Sequence, residues 1–388
     1  MVAMMILVIL GGGVMTSFWI FFRTYETDRD YTEAREEIEY AFQLLGHDFT
    51  NISLGMPNNK VGSGDFSEAF RGIDTAADAS GKSPIMYFMG ARLARWGGPI
   101  LLRWHPSGNP DYFNDSHKVT ATVNYGGRNV YIGNELIYAT AIPAMVEKGG
   151  TRSVIKMRPN VNVGRRTKGE QLTIPLLQGK EAVDALLNYR DDGRTAGIAN
   201  GRDSQRSPRS WIVLPGLQIP LLIQGWNVNG TVVGDPPDVN NALKVTIAPY
   251  SDPAGDIEHV GMLGGLEEIY LVKAARIFVN GNRQLVQEIY GDNFANVSGE
   301  TSVGSTLNFL AENIGGAVFI FDPAARTLTM HLAAMGADPH PERGAAGVQP
   351  ATWPIISSDS TVNNNIVLSG DILERRLVVG SRTWRIRN

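Results

Sequence analysis

The sequence MVAMMILVILGGGVMTSFWIFF, Met1 to Phe22, contains no charged residue, and the first charge in the chain is Arg23. An α-helix rises 1.5 Å per residue, so this stretch would form a helix of roughly 33 Å, enough for the roughly 30 Å hydrocarbon core of a bilayer. No other stretch of the sequence is as long and as apolar. The sequence therefore predicts a single membrane anchor in the first residues.

A cleaved signal peptide is the main alternative interpretation of this segment. Signal peptides carry a basic region before the apolar run and small residues at the cleavage site after it. Here no basic residue precedes the run, and the run ends in aromatic side chains. Because aromatic residues gather where lipid meets water, we expect Phe18, Trp19 and Phe22 to lie at that interface. This layout favours a retained anchor.

Three adjacent glycines interrupt the apolar run. Glycine costs about 1 kcal/mol against alanine in a water-exposed helix. In a bilayer or a packed bundle part of this cost is masked, and glycines allow close helix approach or local melting. The predicted membrane and assembly surface comprises Met1, Ile6, Leu10, Gly11, Gly12, Gly13, Phe18, Trp19 and Phe22.

The helical pattern continues past the apolar run. Apolar residues recur there at steps of three and four: Tyr31, Ala34, Ile38, Ala41, Phe42, Leu45, Phe49 and Ile52. Charged residues fill the other positions: Glu26, Asp28, Arg29, Asp30, Glu33, Arg35, Glu36 and Glu37. This pattern is typical of an amphipathic helix. We expect its stripe to pack on the protein's own globular domain, chiefly through Ile38, Phe42, Leu45 and Phe49.

The remainder of the chain predicts antiparallel β-structure. Short apolar runs are separated by turn residues, with hairpin turns expected at Gly126-Gly127, at 280–282 and at 322–325. Residues 336–354 hold several prolines and glycines and are expected to interrupt the sheet. The predicted fold class is α+β, a long N-terminal helix packed on antiparallel sheet. We assign 1–53 to the helix and 54–388 to a β-rich globular domain, with room for an inserted lobe within 60–260.

The sequence offers little to support catalysis. There is no cysteine, which excludes disulfides, thiolate chemistry and cysteine–zinc sites. The six histidines are scattered, and neither HExxH nor G-x-S-x-G occurs. We expect no enzyme and no cofactor. Two acid-rich turns, 234–241 and 250–258, contain oxygen ligands that suit calcium, but these residue types are also ordinary in turns.

Charge gives no reason to expect nucleic acid as a partner. The net charge is -4, too small to argue for a polyanion. Five arginines gather near the C-terminus, and we expect them to form a solvated face that is able to pair with neighbouring subunits: Arg375, Arg376, Arg382, Arg385 and Arg387.

The N-terminal helix and later segments resemble the PilW-like and GspJ-like minor pilins of type IV pili and type II secretion systems. The resemblance lies in residues 1–22 followed by EIEYAFQLLGHDFTNI (37–52), and in IYLVKAARIFVNGNRQLVQEIYG (269–291) with LNFLAENIGGAVFIFDPAARTLTMHLAAMG (307–336). The C-terminal LERRLVVGSRTWRIRN (373–388) is similar to that family's closing strand. The resemblance implies a helix-turn at the LAEN sequence, residues 310–313, followed by a hairpin.

In that family a Gly-Phe-Thr-Leu-Ile-Glu-Leu motif precedes the helix and is cut after the glycine by a prepilin peptidase, with methylation of the new N-terminus. The sequence begins at Met1, where the family would continue from that motif. We therefore expect a reading frame that starts further upstream, or a truncated chain.

The resemblance implies a subunit anchored in the inner membrane, with its globular domain in the periplasm or outside the cell. It would assemble through its helix with other pilins or pseudopilins at a pilus or secretion platform, and its size suits a priming or tip role, with adhesion as one use. Two other classes stay open. One is a membrane-anchored envelope adhesin unrelated to pili, and the other is a membrane-tethered periplasmic enzyme whose site is not recognised.

Overall fold

The computed structural model describes residues 2–54, 100–104, 122–158, 161–162, 166–167, 171–188, 211–214, 220–228, 231–233, 242–247, 256–257, 262–263, 267–290, 305–339, 349–354, 366–368 and 370–386. Within these residues a long helix accompanies antiparallel sheets, so the predicted α+β class is confirmed. The two predicted acid-rich turns lie outside the described residues, apart from a two-residue strand at Asp256–Ile257.

Helix α1 runs without a break from Val2 to Thr50, a length of 49 residues. Its first buried residue is Asp30, and from there burial recurs at helical spacing: Ala34, Ile38, Ala41, Phe42, Leu45, Asp48 and Phe49. Tyr31, predicted to belong to the buried stripe, is 54% exposed because the helix is leaving the domain at this turn. Asp30, predicted to be on the charged face, is instead buried.

A large sheet contains ten strands, all paired antiparallel. They are β1 (Ile100–Arg103), β4 (Glu135–Pro143), β9 (Gln171–Pro175), β10 (Trp211–Val213), β11 (Pro220–Val228), β12 (Thr231–Val233), β13 (Ala242–Ile247), β16 (Tyr270–Val279), β17 (Leu285–Tyr290) and β18 (Ser305–Ala311). The order β1-β4-β16 divides at β16. Its C-terminal half pairs with β17 and then β18, whereas its first two residues pair with β10, which leads to β11, β13 and β9.

A second sheet has five strands in the order β2-β3-β19-β20-β21. These are β2 (Thr122–Tyr125), β3 (Arg128–Gly133), β19 (Ile314–Asp322), β20 (Thr327–Pro339) and β21 (Arg375–Arg385). Three small pairs complete the described strands: β5 (Met145–Lys148) with β6 (Thr151–Val154), β7 (Val161–Asn162) with β15 (Met262–Leu263), and β8 (Arg166–Thr167) with β14 (Asp256–Ile257). A short helix α2 spans Lys180–Asn188, and a 3-10 turn spans Gly370–Ile372.

The three predicted hairpin turns are confirmed. Gly126 and Gly127 have φ of 58° and 79°, the backbone that a two-residue turn requires, and they join β2 to β3. Asn280 accepts hydrogen bonds from the backbone of Asn282 and Gln284 and thereby closes the β16–β17 turn. In the β19–β20 turn, Asp322 Oδ1 accepts from the backbone N–H groups of Ala324 and Ala325.

Two predictions about local structure were wrong. The LAEN sequence forms no helix-turn: Leu310 and Ala311 end strand β18, and Asn313 turns the chain at a φ of 54° into β19. Pairing with β17 decides this, since it supplies the backbone partners of β18. The expected interruption of the sheet at 336–354 was wrong in its starting point, because β20 continues past Gly336 to Pro339; residues 349–354 form no strand.

The main core lies between α1 and both sheets. It joins the α1 stripe to apolar residues of the large sheet, such as Tyr138 and Ile277, and of the five-stranded sheet, such as Phe319 and Leu332. A second apolar cluster covers the opposite face of the five-stranded sheet, where Trp353 packs with Ile366 and Leu368. The five-stranded sheet is therefore covered on both faces, and α1 is part of the core rather than an appendage.

Strand β21 lies along α1, and the two pack closely together. A Cβ atom on Gly380 would lie 2.5 Å from Ile38 Cγ2 and 3.4 Å from Phe42 Cε2, so only glycine leaves room for the helix. Further along β21, Trp384 makes edge-on contacts with Phe42 and Phe49, with ring centroids 5.8 and 4.8 Å apart. The helix is thus in contact with β21 over most of the strand.

We predict that Gly380→Ala destabilises the fold by about 1–3 kcal/mol, because overpacking forces Ile38 or the strand to move. Gly281→Ala is the matched control: no atom lies within 4 Å of a Cβ at Gly281, so a change below about 0.5 kcal/mol is expected. Urea unfolding of the detergent-solubilised chain measures both. Equal effects at the two positions would show that the close approach at Gly380 is not a constraint.

Candidate membrane and assembly helix

The N-terminal half of α1 extends away from the domain. From Val2 to Phe22 every residue is exposed, including the predicted surface residues Ile6, Leu10, Phe18, Trp19 and Phe22; the predicted Met1 lies outside the described residues. This helix is the one candidate membrane span within the described part of the chain, by length and composition, and none of its apolar window is buried. Its apolar side chains are therefore available to lipid or to other helices.

The helix stays regular through its glycines. A Cβ atom at Gly11, Gly12 or Gly13 would have no neighbour within 4 Å apart from the helix's own nearby backbone. The missing side chains leave a shallow depression on the exposed N-terminal half of α1, the rod. This depression allows the backbone of a second helix to approach. Of the two alternatives that the glycines allow, close helix approach and local melting, the structure does not have local melting, since α1 is continuous there.

The polar side chains in the apolar half bond to the helix itself. Thr16 Oγ1 donates to the carbonyl of Gly12 at 2.8 Å, and Ser17 Oγ donates to that of Gly13 at 2.9 Å. An unbonded hydroxyl is costly in hydrocarbon, and bonding to the carbonyl four residues earlier removes that cost. These two residues are therefore compatible with a lipid environment.

Aromatic and charged residues follow at the end of the apolar run. Trp19, Phe21, Phe22 and Tyr25 are all exposed, and the guanidinium of Arg23 lies 5.1 Å from the Trp19 ring centroid. Between Arg23 and Glu39 the sequence carries seven carboxylates and three arginines. This change from apolar to aromatic to charged is the one expected where a helix passes from hydrocarbon through the interface into water.

The C-terminal half of α1 holds the helix on the domain. The four predicted contacts, Ile38, Phe42, Leu45 and Phe49, are buried in the main core. Phe49 is fully buried and lies edge-on to Tyr138 as well as to Trp384, with a centroid distance of 5.4 Å to Tyr138. Burying a side chain of this size contributes roughly 1.5–3 kcal/mol relative to leaving it exposed.

A polar contact near the end of α1 was not predicted. Tyr138 donates its hydroxyl hydrogen to Asp48 Oδ2 at 2.9 Å, and Gln287 Nε2 lies 2.8 Å from the same oxygen and 2.6 Å from the tyrosine hydroxyl. The Thr140 hydroxyl donates to the Asp48 backbone carbonyl at 2.7 Å. The amphipathic pattern alone gives no reason to bury an aspartate, but Asp48 falls on the same face as Leu45 and Phe49, and that position was the available signal.

The arginines near the C-terminus were predicted to form one solvated face, and this prediction was wrong. The Arg376 side chain is only 12% exposed and lies 3.8 Å from Asp30 Oδ2, while Arg382 and Arg385 are exposed. Arg382 lies over the Trp384 ring at 5.8 Å, and Arg387 is outside the described residues. By strand alternation Arg376 and Arg382 share the face of β21 that meets α1, whereas Arg385 lies on the other face, so the arginines are divided between the two.

Comparisons of the chain with protein-family models, with curated proteins and with solved structures find no match. No group of three or more histidine or acidic side chains arranged to hold a metal ion occurs in the described part of the chain. The feature available for interaction is an exposed apolar rod, so the candidate site is a contact surface for lipid or for other helices.

We predict that Tyr138 makes stability depend on pH above about 10, the ordinary tyrosine pKa. Burial, and then the negative charge of Asp48, raise the pKa of Tyr138 well above its usual range. When the pKa of a group is higher in the folded protein than in the unfolded chain, folding favours the protonated form of that group. The contribution of Tyr138 to the free energy of unfolding is therefore fully present below the unfolded pKa and is lost as the pH rises through the folded pKa. Unfolding free energies measured on either side of the ordinary pKa test this.

Tyr138→Phe should remove the additional alkaline loss of stability, although it also removes a hydrogen bond and lowers stability at neutral pH. Tyr40→Phe is the matched control, because Tyr40 is exposed on α1 and the variant should leave the pH profile unchanged. If Tyr138→Phe kept the wild-type alkaline profile, the buried hydroxyl would not be its source.

Proposed function

We propose that this chain is a subunit of a type IV pilus-like filament, a minor pilin or pseudopilin, held in the inner membrane by its N-terminal helix before assembly. One observation carries the proposal: a single continuous helix has an exposed apolar half and a second half buried on antiparallel sheet. The resemblance to minor pilins in residues 1–22, 37–52, 269–291, 307–336 and 373–388 supports the same conclusion.

The exposed half suits two environments in turn. Val2 to Phe22 would be a rod of about 32 Å, which matches a bilayer core. In a filament the same side chains would pack against equivalent helices, with the glycine depression allowing close approach. Lipid tails and helix surfaces are similarly apolar, so exchange of one for the other has a small net free energy.

The part of α1 that packs on the domain, from Asp30 to Thr50, is the docked half. It keeps the globular domain in a fixed orientation relative to the rod. Because α1 lies in the main core, the helix cannot be withdrawn without unfolding the domain. A signal anchor joined by a linker would not need this packing. The domain would stay outside the membrane, and its size beyond that of a simple fibre subunit favours a priming or tip position, where it can also contact a surface.

We predict that Leu7→Arg with Leu10→Arg prevents stable membrane insertion. An arginine near the centre of a spanning helix costs about 2.5–3.5 kcal/mol on insertion scales, and both leucines are exposed on the apolar half. Carbonate extraction of membranes should release the variant but not the wild type. Tyr40→Arg with Leu44→Arg, exposed positions of the docked half, is the control and should stay in the membrane.

Filament assembly separates a pilin from an anchored envelope protein unrelated to pili. The chain has no cysteine, so Ile9→Cys introduces a single thiol on the exposed rod. We predict that filaments sheared from cells contain the subunit and that mild oxidation links it to neighbours carrying a matching thiol. Glu36→Cys, exposed on the docked half, should link much less. Recovery of the subunit in membranes alone would support the anchored protein instead.

A further inference from the structure

The point where α1 leaves the domain is marked by a buried ion pair. Asp30 is 1% exposed and is the first buried residue of the helix. Its Oδ2 lies 3.8 Å from Arg376 Nη1 at the start of β21, and its Oδ1 lies 3.6 Å from Arg29 Nη2. The next buried residue, Ala34, is one turn further along. Among the described residues, Asp30 and Arg376 therefore mark the point where the buried part of α1 begins.

The sheet has a recess that receives Asp30. A Cβ atom on Gly336 would lie 3.0 Å from Asp30 Oδ2 and 3.1 Å from Asp30 Cβ, so a side chain at this position would crowd the carboxylate. The Arg375 guanidinium donates to the Gly336 carbonyl at 3.3 Å, which ties β21 to β20 beside the recess. Strand β20 continues through Gly336 to Pro339, but its register with β21 shifts between Met335 and Pro339, so the recess lies at an irregularity in the sheet.

The Arg376–Asp30 ion pair is longer than the contacts of Asp48 at the other end of the buried part of α1. The Arg376–Asp30 distance of 3.8 Å exceeds a hydrogen bond, and Arg376 Nη1 is buried without a hydrogen-bond partner in the described part of the chain. Asp48, by contrast, is held at 2.8 and 2.9 Å by Gln287 and Tyr138. The two aspartates are 18 residues apart, about five turns or 27 Å, and so lie on the same face of α1.

We propose that Asp30 and Arg376 are positioning residues that form a releasable clamp, which fixes the direction in which the exposed half of α1 leaves the domain. A buried ion pair gives little net stabilisation because both charges lose hydration, and both regain it when the contact opens. Once the contact opens, α1 can bend in the turn between Asp30 and Ala34 while Ala34, Ile38 and Phe42 stay in the core. An apolar pair at the same two positions would hold the helix more tightly.

The clamp matters because the rod is a long lever. From Val2 to Arg29 the exposed helix is about 42 Å long, so a change of direction of about 10° moves its tip by about 7 Å. A bilayer and a filament impose different angles between rod and domain, and a clamp that opens at low cost accommodates both. This consequence rests on the proposed function, whereas the clamp itself can be measured without it.

Distances between two spin labels on the full chain in detergent test the clamp. With no native cysteine, Ser17→Cys on the rod and Ser381→Cys on β21 give two defined label sites, both exposed. Asp30→Asn leaves Arg376 without its charge partner and should widen the distance distribution at least twofold. Asp28→Asn, an exposed aspartate two residues away, is the matched control and should leave the width unchanged.

The double variant Asp30→Leu with Arg376→Met tests release as distinct from simple support. We expect a distribution as narrow as wild type or narrower, with a melting temperature at least as high. A folded double variant with a wide distribution would overturn the proposal, and so would equal widths for Asp30→Asn and Asp28→Asn. If the double variant does not fold, the comparison of the two single variants decides.

The label distances and the filament assay fail independently. If Asp30→Asn widens the distance distribution but the chain is never recovered from sheared filaments, the clamp is supported and the proposed function is wrong. Filament recovery with widths that do not respond would do the reverse.

Discussion

The packing of the second half of α1 against two sheets at once is the contact on which the rest of the structure depends. An amphipathic helix is marginal alone, and its apolar stripe becomes stabilising only when a matching surface covers it. Here β20 and β21 supply one side of that surface, and β4, β16, β17 and β18 supply the other. The glycine at 380 lets the helix approach, and Trp384 fills the space between Phe42 and Phe49.

Charge is buried on the far side of the large sheet as well. Arg103, Glu135, Arg276 and Glu288 lie on four neighbouring strands, each at most 5% exposed. Glu135 accepts from Arg103 at 2.9 and 3.0 Å and from Arg276 at 3.1 Å, and Arg276 also donates to Glu288 at 2.7 Å. Alternating signs let each charge meet its opposite across the strands. A row of buried charges of this kind favours one pairing register between the strands, since a slip of one residue would leave buried charges without partners.

The sequence was sufficient for features that depend on local pattern. The apolar run, the helical stripe and the three turns at Gly126, Asn280 and Asp322 follow from residue type and spacing, and the structure has them. Features that depend on distant partners were missed. Asp30 was assigned to the charged face and the buried contact of Asp48 was not predicted, because their partners, Arg376 and Tyr138, are far away in the sequence. The helix-turn at the LAEN sequence was what the family resemblance implied, and nothing in the local sequence shows that β17 will pair with this segment. Both aspartates do fall on the apolar face, a signal that amphipathic analysis usually discards.

The course of β21 beside α1 has a mechanical consequence. Arg376, Gly380 and Trp384 meet α1 in the same order as Asp30, Ile38 and Phe49, so strand and helix run side by side in one direction. Tension applied along the rod is therefore carried in shear, with the core contacts at Ile38 and Phe49 resisting together even when the Asp30 contact is open. No loop interrupts the helix between the apolar end and the core, so there is no slack to extend before the load reaches the sheets. A tether built this way transmits a pull to its folded domain almost without delay.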